Sequence, residues 1–266
     1  MTLSPWSGWR GRTLLLVTIA CVIAAVALPA MPQPLSYHAF ADCRTLFGVS
    51  NFFNVISNLP FLLAGGWGLA LIFRGGGHFT DAREQQPYLV FFLGALLTCF
   101  GSAYYHLAPD NPRLVWDRLP MTLGFSGLVA AALAERVDPQ SGLRWLWPLL
   151  AMGVFTVLYW YGTERAGAGN VMPYGVYQGW SVLVIVLLIA LFPGTRYSAG
   201  GYLAWAAVWY GLAKICESLD VQIFRLLGGV VSGHSIKHVL AALGVLAIVW
   251  QLRLRRPLEA ASIVRA

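Results

Sequence analysis

Three histidines of this chain are spaced in a way that suits a metal site. His234 and His238 lie four residues apart, so on a helix their imidazoles would leave one face, one turn apart. His106 belongs to a separate stretch of the chain. Imidazole is the commonest metal ligand among side chains, and three protein ligands plus a water are typical of catalytic zinc. The pattern therefore predicts a zinc site built from His106, His234 and His238.

Two further polar residues accompany this set. Ser102 precedes His106 by four residues, which places its hydroxyl one turn away on the same helix face. Asp117 follows His106 after a short stretch that contains Pro109 and Pro112. Because a purely structural metal site needs no additional acid, Ser102 and Asp117 favour a catalytic site.

A less specific interpretation applies to each histidine alone. Single histidines near helix ends are often interfacial or hydrogen-bonded packing residues. Polar groups inside membranes are costly, however, and a set of them at one depth favours a function. His78 is predicted in a loop on the other side of the membrane and is excluded, whereas His38 remains an outside candidate.

The elements that must position these residues are membrane helices. Of 266 residues, 58% are hydrophobic and only 11% are charged, whereas soluble domains contain about a quarter charged residues. Backbone groups in lipid must pair within their own segment, which favours helices for continuous apolar runs. The predicted helices span residues 13–30, 53–73, 88–107, 118–135, 144–161, 173–192, 202–218 and 234–252.

The first run has two interpretations. Arg10 and Arg12 precede it and Ala-Leu-Pro-Ala ends it, as in a secretory signal peptide. Its length and Pro29 argue against cleavage, so we expect an uncleaved helix. Either interpretation leaves the topology of the remaining helices unchanged.

Orientation follows from the arginines. With a cytoplasmic N-terminus, most arginines outside the helices fall on the cytoplasmic side, as the positive-inside rule requires. Both termini are then cytoplasmic, and His106, Asp117, His234 and His238 share the outer side. The formal charge of +7 has the same explanation, so we expect no nucleic-acid partner. The short tails favour a bacterial inner membrane.

The stretches around these residues resemble the alkaline ceramidase family, within the superfamily of adiponectin receptor and haemolysin III relatives. They are NFFNVISNLPF (Asn51 to Phe61), GSAYYH (Gly101 to His106), WDRLPM (Trp116 to Met121), CESL (Cys216 to Leu219) and GHSIKH (Gly233 to His238). The resemblance implies an all-α integral membrane protein with the family's seven-helix transmembrane bundle. The extra N-terminal helix makes eight in total.

Three segments follow from this resemblance. Residues 1–36 would form the N-terminal transmembrane helix or an uncleaved signal anchor. Residues 37–252 would form the seven-helix ceramidase-like membrane domain, and residues 253–266 a basic cytoplasmic tail.

The activity implied by the resemblance is zinc-dependent cleavage of the amide bond in ceramide or a related N-acyl lipid. His106, His234 and His238 would bind Zn²⁺, and Ser102 and Asp117 would lie against the water that the zinc activates. The alternative is a receptor or signalling protein of the same superfamily with a mainly structural zinc. A transporter is disfavoured because the polar residues cluster at one face.

Other residues acquire expected roles from the resemblance. Cys43 and Cys216 would correspond to a disulfide of the family, with two free thiols as the alternative. Animal members carry an acidic calcium site before the first core helix, but here that segment offers only Asp42, beside Arg44, which argues against calcium. A further set would be structural residues near the base of the site: Asn54, Ser57 and Asn58.

The acidic residues Glu217 and Asp220 lie near the outer end of the seventh predicted helix. They have two open interpretations. They would either support a ligand histidine or form ion pairs with Lys214 or Arg225.

Overall fold

The structure is a computed structural model that describes Trp6 and residues 8–258. The described residues form α-helices and short 3₁₀ turns, and contain no β-strand beyond isolated bridges. The helices are α1 (Trp9–Ala27), α2 (Phe52–Ile56), α3 (Leu59–Phe73), α4 (Gln85–Leu107), α5 (Asn111–Arg136), α6 (Pro139–Arg165), α7 (Met172–Leu191), α8 (Tyr202–Ser218), α9 (Asp220–Leu226) and α10 (Gly233–Leu254). Most of the predicted basic tail, from residue 259 onward, lies outside the described residues.

Each of the eight predicted runs coincides with a helical segment. The second run is divided into α2 and α3, and the short helix α9 was not predicted. Six helical segments of the described chain are long and apolar enough to cross a membrane, as expected for a multi-pass membrane protein. The helices α5 and α8 are not among the six, so the count of eight crossings stays a prediction.

Seven helices form a closed ring. In order around the ring, α3 packs on α4, α4 on α5, α5 on α6, α6 on α7, α7 on α8, α8 on α10, and α10 on α3. The helix α1 lies outside the ring against α7, where Trp180 donates a hydrogen bond to the Thr18 hydroxyl at 3.0 Å. Only Gly11 and Leu14 of α1 are buried. This arrangement agrees with a seven-helix bundle to which α1 is an addition.

Local sequence signals fix where the helices of the site begin. The side chain of Asp110 accepts a hydrogen bond from the Arg113 backbone N–H at 2.7 Å and caps α5. Ser232 caps α10 in the same way, through the backbone N–H of Ser235 at 3.1 Å. Such caps satisfy N–H groups that the first helical turn leaves unpaired. The caps therefore fix where both helices begin, with His234 in the first turn of α10 and Asp117 in the second turn of α5.

Two glycines permit very close helix contacts beside the same residues. A Cβ atom at Gly101 in α4 would lie 1.9 Å from the carbonyl oxygen of Trp116 in α5. A Cβ atom at Gly233 would lie 2.2 Å from the carbonyl oxygen of Cys216 in α8. Small residues at such contacts let helix backbones approach within a membrane, where packing drives association. The two contacts set the distances from α4 to α5 and from α8 to α10.

A buried polar network closes the opposite end of the ring. Glu135 forms an ion pair with Arg255 and accepts hydrogen bonds from Tyr88 at 2.6 Å and Gln251 at 2.7 Å. Arg255 is fully buried, although the sequence suggested an exposed cytoplasmic arginine. The network joins α4, α5 and α10, the helices that carry the site residues at their other ends.

The contact at Gly101 predicts a measurable cost of adding a side chain there. The variant Gly101→Val must separate α4 from α5, and overpacking of this kind costs about 1–3 kcal/mol or more. We expect a lower midpoint of thermal unfolding for the purified protein in detergent. Gly162→Val is the matched control, because no atom lies within 4 Å of a Cβ at Gly162. Equal unfolding midpoints for the two variants would contradict this account.

Candidate metal centre

Three buried imidazoles meet where α4 and α10 converge. His106 lies in the last turn of α4, and His234 and His238 lie in the first two turns of α10. Their exposed fractions are 1%, 6% and 3%. The Nε2 atoms of His106 and His234 are 3.3 Å apart, and one ring nitrogen from each histidine lies within 4.8 Å of the others. The clustering predicted from the sequence is therefore confirmed.

The nitrogen atoms of this cluster fit a metal ion. Nδ1 of His238 is hydrogen-bonded to the Ser57 hydroxyl at 2.7 Å, while its Nε2 is buried without a partner. Buried polar atoms without partners are rare, and each costs about 1–3 kcal/mol. Two nitrogens bound to tetrahedral zinc at about 2.0–2.1 Å lie roughly 3.4 Å apart, close to the observed separation of His106 and His234. The donor set and its spacing suit zinc.

Surrounding residues hold the histidines in place. Ser57 fixes the ring of His238 through Nδ1, the kind of contact that orients metal-binding histidines. The Asn51 side chain donates to the carbonyl oxygen of His106 at 2.8 Å, at the end of α4. The buried Asn54 accepts a hydrogen bond from the Ser235 hydroxyl at 2.9 Å, which ties α2 to α10.

Asp220 supports a histidine of the cluster, one of the two interpretations drawn from the sequence, and it does so through the backbone of His234. Its carboxylate accepts one hydrogen bond from the backbone N–H of His234 at 2.7 Å and another from that of Ala41 at 2.9 Å. It forms no ion pair with Arg225 among the described residues. Asp220 therefore fixes the first turn of α10 and attaches the linker between α1 and α2 to it.

Ser102 and Asp117 lie beside the histidine cluster on the wall of one cavity. Both side chains are buried, and both contribute to the cavity wall. His238 lines the same cavity. The fold thus brings together all five residues singled out by sequence spacing, with an acid and a hydroxyl next to three imidazoles that could hold a metal.

The positively charged side chain of Arg118, next to Asp117 in the sequence, is also buried inside the protein. Its guanidinium is buried, 4.1 Å from the Trp160 ring centre and 4.6 Å from that of Tyr174. It donates a hydrogen bond to the Gln33 side chain at 2.7 Å. Aromatic faces stabilise such a cation, so Arg118 anchors the linker next to Asp117.

The linker between α1 and α2 covers the cluster. The ring centre of Phe40 lies 4.7 Å from that of His106 and 4.5 Å from that of His234. His38 is not a ligand candidate, because its two ring nitrogens are occupied by Tyr105 at 2.9 Å and Asn111 at 3.0 Å. Phe40 gave no signal in the sequence, since its contact with the histidines depends on how the linker crosses the helix ends.

Asp42 in this linker is paired with Arg44 at 2.6 Å. Burial by itself raises the pKa of the Asp42 carboxyl, but hydrogen bonds from Arg44 and its charge outweigh burial and hold that pKa below its ordinary value. The carboxylate is therefore ionised and engaged by Arg44, which orders the loop.

Lys237 also belongs to the site, although sequence reasoning did not place it there, and it lies beside Glu217. The ammonium nitrogen of Lys237 lies 3.0 Å from Nε2 of His234 and 3.1 Å from Oε1 of Glu217. Glu217 also pairs with Lys214, one of the two interpretations drawn from the sequence. The available signal was the spacing of His234 and Lys237, because residues three apart on a helix are neighbours.

A cavity inside the ring leads away from the cluster. Its wall is polar beside Ser102, Asp117 and His238 and becomes apolar toward the opposite end, where Phe91 and Ile185 contribute. Residues of α4, α5, α7, α8 and α10 line it. The arrangement suits an amphipathic molecule with its polar group at the histidines.

The disulfide implied by the resemblance is not formed in the structure. Cys43 and Cys216 are both free thiols, the first exposed and the second half-buried. The buried side chain of Asp42 is held by Arg44, whereas the neighbouring side chain of Cys43 is exposed. Cys43 is therefore directed toward solvent.

Comparison with known families identifies one match. A family model described as Ceramidase matches residues 45–262, which is most of the chain. No match was found among curated proteins.

The cluster predicts stoichiometric metal binding. Protein purified without chelators should contain about one equivalent of zinc, and His234→Ala should lose most of it because one of three ligands is removed. Elemental analysis by mass spectrometry measures this directly. His78→Ala is the control, because His78 lies at the opposite end against Arg256. Equal metal content in both variants would contradict the site.

Replacement of Ser57 should have a smaller effect on metal binding. Ser57→Ala removes the hydrogen bond that orients His238, and loss of such a contact weakens metal affinity by about 10- to 100-fold. Competition with a chromogenic chelator measures the dissociation constant. Ser50→Ala, at an exposed position of the same region, should leave it unchanged. An unchanged constant for Ser57→Ala would mean that the histidine is held by packing alone.

Proposed function

The chain belongs to the ceramidase family, and we propose that it is a zinc-dependent hydrolase that cleaves the amide bond of ceramide or a related N-acyl lipid within the membrane. Family membership implies an amide hydrolase that acts on ceramide. The metal and the roles of individual residues are the proposal. The observation that carries it is the position of three buried histidines beside Ser102 and Asp117 at the polar end of an apolar cavity.

The chemistry of a metal at the histidines is that of a Lewis acid. Zinc held by His106, His234 and His238 would lower the pKa of a water to about 7 and so supply hydroxide at neutral pH. The histidines supply neutral nitrogen donors, and Ser57 keeps the ring of His238 oriented. Phe40 shields two of the rings from bulk water.

Asp117 acts as the general base and then as the general acid. Its carboxylate accepts a proton from the attacking water while a C–O bond forms at the amide carbonyl carbon. The C–N bond then breaks, and Asp117 returns the proton to the leaving nitrogen. The products are a fatty acid and an amine such as a sphingoid base. The Ser102 hydroxyl would donate a hydrogen bond to the oxyanion, and one such donor contributes about 3 kcal/mol.

The cavity provides room for a hydrocarbon chain. Between Ser102 and Phe91 of α4 it extends roughly 16 Å, since a helix rises about 1.5 Å per residue. A lipid amide would place its acyl chain among the helices and its polar head at the histidines. We propose further that both termini are cytoplasmic, that the metal centre faces the outer side, and that the membrane is a bacterial inner membrane.

Activity on a ceramide panel tests the proposal. The zinc-loaded protein in liposomes should release fatty acid, and Asp117→Asn should reduce the rate by about 10²-fold or more because general base catalysis is lost. Mass spectrometry of the released fatty acid measures the rate. Asp81→Asn, which removes an exposed carboxylate at the opposite end, should be as active as the wild type.

Two results would count against a hydrolase. Turnover by Asp117→Asn at the wild-type rate would remove Asp117 from the mechanism. A protein that holds zinc but hydrolyses no lipid amide would instead favour a receptor of the same superfamily with a structural metal.

A further inference from the structure

Lys237 and Glu217 form a charged pair on the cavity wall, beside the histidines and apart from the five residues already assigned. Both side chains are mostly buried, with exposed fractions of 18% and 16%. Both line the cavity, as do Ser102 and Asp117. A buried cation is costly unless it is paired, and Glu217 supplies the counter-charge at 3.1 Å. The pair therefore places a stable positive charge next to the metal centre.

The ammonium group lies within hydrogen-bonding distance of a metal-binding nitrogen. Lys237 is 3.0 Å from Nε2 of His234, the atom that faces Nε2 of His106 at 3.3 Å. An ammonium has three N–H donors and no acceptor, so Nε2 of His234 must accept this hydrogen bond. The lone pair that Lys237 occupies here is the one that His234 would give to a metal.

If a metal were bound to Nε2 of His234, some N–H groups of Lys237 would have no acceptor there. One N–H group stays with Glu217, whose other oxygen is held by Lys214. The remaining N–H groups would have no acceptor in His234, and the side chain already lines the cavity. They would then be available to an oxygen atom of a molecule bound next to the metal.

We propose that Lys237 is a further catalytic residue that donates a hydrogen bond to the carbonyl oxygen of the scissile amide, and that Glu217 is the positioning residue that holds it. This inference rests on the proposed hydrolase function. The oxygen gains negative charge as the carbonyl carbon becomes tetrahedral, so the ammonium attracts the transition state more than the substrate. The proton stays on the lysine, and Ser102 supplies a second donor from α4.

An ion pair that merely joins α8 to α10 is the rival explanation, and steady-state kinetics separate the two. Lys237→Met should lower kcat by about 10²-fold because one oxyanion donor is lost, with KM within about threefold of the wild type. Lys237→Arg keeps a donor and should recover part of kcat. Arg83→Met is the control, because it removes a paired cation at the opposite end of the bundle.

Zinc affinity gives a second readout that does not depend on turnover. In the metal-free protein, the Lys237 ammonium lies against the lone pair of His234, and Lys237→Met removes it. A zinc ion and an ammonium group repel each other strongly in a buried site. We therefore expect Lys237→Met to tighten zinc binding by about tenfold or more. Glu217→Gln leaves the ammonium without its counter-charge and should weaken zinc binding. Chelator competition measures both constants.

The outcomes distinguish this inference from the function on which it rests. An active wild type with Lys237→Met at near wild-type kcat, or with zinc affinity within about twofold of the wild type, overturns the role of Lys237 alone. A loss of zinc in Lys237→Met assigns the lysine to structure and also overturns it. If the wild type hydrolyses no lipid amide, the proposed function fails and this role fails with it.

Discussion

Three imidazoles lie buried against one another, with ring nitrogens within 4.8 Å. Groups of this kind lose their hydration when buried, and a cation that accepts their lone pairs restores the lost interactions. Much of the surrounding structure keeps these nitrogens close to one another. Ser57 orients one ring, Asp220 fixes the backbone under another, and Phe40 covers the rings from the linker. The site therefore depends on five segments of the chain, namely the linker, the end of α2, α4, α9 and α10.

The two ends of the bundle differ in how their buried polar groups are paired. At the opposite end, both oxygens of Glu135 are occupied by Arg255, Tyr88 and Gln251. These bonds tie α4, α5 and α10 together, although Oε1 of Gln251 and Nη2 of Arg255 have no hydrogen-bond partner. At the site end, Nε2 of His238 is left without a partner inside the protein. The same helices, α4 and α10, contribute to both ends, so the hydrogen-bonded network at one end supports the positions of the histidines at the other.

A mostly apolar cavity between these ends gives the bundle an amphipathic interior. Its polar part is formed by Ser102, Asp117 and His238. The ion pair of Lys237 and Glu217 adds to this polar part. Gly101 and Gly233 permit the close helix contacts beside this polar part. Bulkier residues there would move Asp117 away from α4, or α10 away from α8, and so separate the polar groups that line this part of the cavity.

The sequence alone determined the helices, the clustering of His106, His234 and His238, and the presence of Ser102 and Asp117 beside them. Those features depend on hydropathy and on helical spacing, both of which act over a few residues. It did not determine that Lys237 would contact His234, that Asp220 would hold the α10 backbone, or that Cys43 and Cys216 would be free thiols. These depend on where distant segments meet. Only the packing of the linker, α8 and α10 decides them, because a contact across the fold has no local pattern from which it can be read.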